Sequence, residues 1–111
     1  MVFMMLVGFG GCAQTMKSEL PKPLTGGVRF TVLAPEAKQV YLVGSFNGWV
    51  NGATPMKVVD VSGLWSVDVP LKEGDYTFMY LVDGVRWVTP PLAEDFVKDG
   101  FGQTNGIVVV R

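Results

Sequence analysis

The chain has 111 residues, 49% of them apolar and 12% aromatic, with nine Lys plus Arg against ten Asp plus Glu for a formal charge of −1. One domain with an ample core fits that length, while disorder and a nucleic-acid partner do not fit a composition whose positive charges are few and matched by acids. The absence of histidine and the presence of one cysteine exclude Ser-His-Asp and Cys-His catalysis, His-containing zinc sites and an internal disulfide.

Every charged side chain lies at or after Lys17. Before it, an apolar run from Met1 to Phe9 ends in Gly10-Gly11-Cys12-Ala13-Gln14. An apolar stretch closing on small residues is the pattern of a secretory signal, and this one is too short to span a bilayer. Its Gly-Gly-Cys ending resembles a bacterial lipoprotein cleavage box. Residues 1–11 then read as the signal and Cys12 as the lipidated first residue of the processed chain, an anchor at the outer side of the cell envelope. The alternative is an uncleaved apolar tail, or a Cys12 that is simply buried. Residues 12–26 carry Ser, Thr, Pro and Gly without periodicity and read as a tether.

From Val28 the pattern has period two. Val28, Phe30 and Val32 alternate with Arg29 and Thr31 until Pro35. Residues 39–45 are rich in β-formers and run into the turn Phe46-Asn47-Gly48-Trp49. Met56 to Val61 is a third strand, closed by Ser62-Gly63. Trp65, Val67 and Val69 alternate with polar residues until Pro70, and Lys72-Glu73-Gly74-Asp75 turns the chain into a strand from Tyr76 to Val82. Asp83-Gly84 is the strongest hairpin signal and leads into Val85 to Val88. Residues 90–99 have room for one helical turn, and after a loop to Gly106 the last strand runs from Ile107 to Val110. About seven short strands with frequent turns predict an all-β, two-sheet sandwich over residues 27–111.

Catalytic candidates are sparse. Asp75, Asp83 and Asp99 each adjoin a glycine, where turn chemistry accounts for them. Gly100-Phe101-Gly102 lacks the spacing and following helix of a phosphate loop, so no cofactor is implied. The indoles of Trp49 and Trp87 stand outside any apolar stripe. An aromatic face can cover the apolar C–H face of a glucose ring while polar groups at the rim hold the hydroxyls. The alternative is that each Trp plugs one end of the sandwich. Trp65, in step with Val67 and Val69, belongs to the core.

The run Val40 to Trp49 (VYLVGSFNGW) resembles the opening of the glycogen-binding domain of AMP-activated kinase β subunits, the same module as carbohydrate-binding family 48 and the early-set domain of isoamylases and branching enzymes. Gly63-Leu64-Trp65, Pro70 to Tyr76, Leu81-Val82-Asp83-Gly84 with Trp87, and Gly102 to Gly106 before a Val-rich strand resemble the family's later motifs in the same order. The resemblance implies an immunoglobulin-like, early-set sandwich that binds α-1,4-linked glucan and performs no catalysis. It implies stacking on Trp49 and Trp87, hydroxyl bonds from Asn105 in the last loop, a hydrophobic contact from Phe101, and Gln103 where the family has threonine. Gln103 can donate and accept hydrogen bonds. A lysine that bonds a hydroxyl in glycogen-binding members is replaced by Met79, and the usual Asp-Pro after the second Trp by Pro90-Pro91. A second reading follows from Met79: an interaction module for a glucan-processing enzyme or another envelope protein, marked by exposed apolar surface around Met79 and Tyr80.

Overall fold

The computed structural model describes residues 20–111; the signal-like segment, Cys12 and the first part of the tether lie outside the described residues. Two antiparallel sheets face each other. One holds β1 (Lys22–Leu24), β2 (Gly27–Leu33), β4 (Lys57–Val58) and β5 (Leu64–Pro70), in the spatial order β1-β2-β5-β4. The other holds β3 (Val40–Gly44), β6 (Gly74–Val82), β8 (Asp95–Lys98) and β9 (Thr104–Val110), in the order β3-β6-β9-β8. β7 (Arg86–Val88) pairs with the end of β6.

The period-two pattern sets which side chains meet. Val28, Phe30 and Val32 of β2 pair with Val69, Val67 and Trp65 of β5, and both sets turn inward. From the other sheet Val40 and Leu42 of β3, Phe78, Tyr80 and Val82 of β6, and Val108 of β9 complete the core. Phe30 meets Phe78 edge to face across the sandwich with ring centroids 5.0 Å apart. Each such buried side chain stabilises the fold by roughly 1.5–3 kcal/mol. Trp65 packs against this core, as predicted, and its indole N–H donates to the Ala34 carbonyl at 3.1 Å.

The structure corrects several boundaries. Residues 22–24, read as tether, form β1 beside β2, with Lys22 opposite Arg29 and Leu24 opposite Gly27. The positive φ of Gly26 (77°) reverses the chain there, and Pro23 is tolerated because an edge strand needs no donor on its open side. Residues 90–99 form no helical turn; Asp95–Lys98 is strand, because β9 offers a free edge to the β-prone pair Phe96-Val97. That pairing also starts β9 at Thr104, so Asn105 lies on a strand and not in a loop. The third strand shrinks to Lys57–Val58, and Asp75 lies inside β6, whereas Asp83 and Asp99 do shape turns.

Candidate glucan-binding groove

The second sheet buries residues on both of its faces. Val43, Met79 and Leu81 are at most 2% exposed yet stand apart from the inner core. Cross-strand partners share a face, so Val43 with Met79, and Tyr41 with Leu81 and Trp87, form two rows on the outer side. This outer face is the floor of a groove.

Trp49 reaches the groove from the turn after β3. Gly44 opens a 3₁₀ turn (Ser45–Asn47), and a Cβ at Gly44 would lie 2.5 Å from the Thr77 carbonyl oxygen, so only glycine fits. Asn47 braces the turn: its Oδ1 accepts from Gly44 N at 3.1 Å, and its Nδ2 donates to Leu42 O and Thr54 Oγ1 at 3.1 and 3.0 Å. The Trp49 N–H donates to Gly44 O at 2.9 Å, with φ of 60°. A left-handed conformation at a bulky residue costs on the order of 1 kcal/mol and persists only where its surroundings impose it.

Trp87 arrives on β7, directly opposite Leu81. The hairpin before it has positive φ at both Asp83 (54°) and Gly84 (72°), the geometry that an Asp-Gly pair favours. The Asp83 carboxylate accepts from Lys38 N at 2.7 Å and Gln39 N at 2.9 Å, and those two bonds hold its pKa below the usual value of 3.8.

The third wall is the loop from β8 to β9. Asp99 Oδ1 accepts from Phe101 N at 2.7 Å and Gln103 N at 3.2 Å, while Asp99 N donates to Gln103 O at 3.0 Å. This clasp holds the Phe101 ring 91% exposed at the loop tip. Asn105 follows on β9, 8% exposed, and among the described residues no side-chain nitrogen or oxygen is buried without a partner. Thr89 Oγ1 donates to Thr104 O at 2.8 Å, tying the end of β7 to the start of β9.

The five predicted residues, Trp49, Trp87, Phe101, Gln103 and Asn105, line one groove of about 410 Å³. Each indole is 37% exposed and neither belongs to the core cluster, so the plug alternative does not describe them. Thr77, Met79 and Asp99 complete the lining. Thr77 carries no signal of this in the sequence, and Asp99 reads there only as a turn former. Met79 and Tyr80 are themselves 2% and 1% exposed, one on the groove floor and the other in the core, and the exposed apolar surface around Met79 is that of Trp49, Trp87 and Phe101. Among the described residues no group of three or more Cys, Asp or Glu side chains is placed to hold a metal ion.

Comparison with known proteins gives the family. Residues 15–93 match carbohydrate-binding module 48, the isoamylase N-terminal domain, and the last two strands lie beyond the match. The chain is 39% identical over 64 residues to the 1,4-alpha-glucan branching enzyme of Pseudomonas syringae pv. tomato, covering 58% of this chain and 9% of that enzyme. It is 39% identical over 70 residues to the branching enzyme of Mycobacterium ulcerans, covering 63% and 10%, and 38% identical over 73 residues to that of Mycobacterium tuberculosis, covering 66% and 10%. The chain thus spans about a tenth of the length of the curated relatives it matches. An all-β sandwich, the ordered motifs and a match across most of its length lead to one conclusion: the chain belongs to the carbohydrate-binding module 48 family.

Proposed function

We propose that this module binds α-1,4-linked glucan (glycogen, starch or a maltooligosaccharide) by stacking sugar rings on Trp49 and Trp87, without altering the chain it holds. The observation that carries the reading is the convergence of both indoles with the Asn105 and Gln103 amides in one open groove. Indole faces cover the C–H faces of glucose, and side-chain amides donate to and accept from its hydroxyls. Phe101 extends the apolar contact from the rim. Hydrolysis by a glycosidase calls for a pair of facing carboxyl groups. The groove is lined by one, Asp99, and an oxygen of that carboxylate is engaged by the Phe101 and Gln103 N–H groups.

Trp49→Ala and Trp87→Ala test the reading directly. Each removes a binding hot spot and should cost about 2 kcal/mol, roughly a thirtyfold loss of affinity for β-cyclodextrin by calorimetry, with little change in thermal unfolding. Two variants that bind as the parent does overturn it.

The same proposal places the module at the bacterial cell envelope through lipid on Cys12, beside a glucan-processing enzyme. The sequence pattern at residues 10–14 supports the anchor, and the likeness to 1,4-alpha-glucan branching enzymes supports the partner class. Metabolic labelling with a radioactive fatty acid should mark the parent and spare Cys12→Ser; label on the variant, or none on the parent, excludes the anchor.

A further inference from the structure

The outer face of the second sheet continues past the two tryptophans. Tyr41 and Trp87 flank Leu81 from opposite sides, about 10 Å apart across the strands. Just beyond the strand ends come Gln39 and Asp83, which border the same depression as Tyr41. Asp83 N donates to Gln39 O at 2.8 Å, which extends the β3–β6 register to this pair. Together with Lys38 and Gly84 these residues line a shallow depression of about 440 Å³.

Its chemistry is that of a sugar subsite. The half-buried Tyr41 ring offers an aromatic surface and a hydroxyl. Gln39 supplies an amide and Lys38 an ammonium with three donors, both at exposed positions. Asp83 Oδ1 accepts from two backbone N–H groups, which fixes the carboxylate in place beside the depression. The floor of the groove beside it is apolar at Met79.

We propose that this depression is a second subsite, which takes the continuation of an α-1,4-glucan chain beyond the two tryptophans and holds its hydroxyls through Lys38, Gln39 and Asp83. The inference rests on the glucan reading of the groove and adds a dependence on chain length.

Calorimetric titration with maltotriose, maltopentaose and maltoheptaose tests it, comparing the parent with the double variant Lys38→Ala/Gln39→Ala. Both substitutions truncate exposed side chains and keep the backbone N–H groups that Asp83 holds. The parent should gain at least fivefold in affinity from the shortest sugar to the longest. The double variant should match it on maltotriose and lose most of that gain. Parallel gains in both proteins, or an equal loss at every length, overturn the second subsite while leaving the groove. A parent that binds none of the three sugars overturns the glucan reading itself, and the subsite with it.

Discussion

Trp49 owes its position to a residue that never enters the groove. Asn47 makes three hydrogen bonds that close the turn, and the left-handed backbone at Trp49 depends on that closure. Asn47→Ala leaves Gly44 N and Leu42 O without that partner inside the fold, so it should cost about 2–3 kcal/mol in denaturant unfolding and weaken glucan binding as well. Met79 makes a complementary case. It is covered, yet it borders the groove, so the ammonium of Met79→Lys can extend upward along its own apolar stem. A charge-assisted bond to a hydroxyl is worth about 1.5–3 kcal/mol, so this variant should bind glycogen at least tenfold more tightly in affinity electrophoresis while melting at a lower temperature. Both tryptophans were readable from sequence because one sits in a polar turn and the other just after an Asp-Gly hairpin. Thr77 was not, since nothing in a threonine on an alternating strand separates a groove lining from ordinary solvent exposure.

Among the elements, the strands that bury side chains were legible, and the two exposed edge strands β1 and β8 were not. β2 and β5 alternate because one face of each meets the core, and alternation is visible in a sequence, while β6, buried on both faces from Phe78 to Val82, shows as a run of β-formers. β1 contains a proline, and β8 is exposed along its whole length, so neither carries the pattern that burial writes. Their existence depends on a partner edge, and a partner is a property of the folded chain. The loop between β8 and β9 shows the same limit: glycines at 100 and 102 announced a turn, but the Asp99 clasp that presents Phe101 and Gln103 needed coordinates. Asp99→Ala frees that loop without disturbing a core residue. Binding of β-cyclodextrin should weaken about fivefold, near 1 kcal/mol, while the thermal midpoint stays within about 2 °C of the parent.

For the molecule as a whole, acid is the stress to which its ionisable groups point. With no histidine, nothing among the side chains takes up a proton near pH 6 at its ordinary value. Asp60, bonded by the Ser62 hydroxyl, Asp68, bonded by Arg29, and Asp83, bonded by the Lys38 and Gln39 N–H groups, all titrate below the usual 3.8. A carboxyl depressed in the folded state takes up its proton first in the unfolded chain. Its contribution is therefore complete above about pH 4 and is lost as the pH falls through the folded value. Denaturant midpoints should be level from pH 7 to about 5 and drop below 4. The Asp68→Asn variant should show a shallower drop, since one of the three linked groups is gone.

β7 and β9 meet the same edge of β6 end to end, one over Tyr80 to Val82 and the other over Gly74 to Phe78. The junction falls at Met79, beneath the groove, and the Thr89 to Thr104 bond closes it. The excursion from Val88 to Thr104 carries β8 along the outer edge of β9, so the exposed loop at its far end, Asp99 to Gln103, can change in length while every strand keeps its neighbours. The fold therefore works as an adjustable jaw on a fixed anvil: residues gained or lost in that loop would reshape one wall of the groove and leave Trp49, Trp87 and the hydrophobic interior where they are.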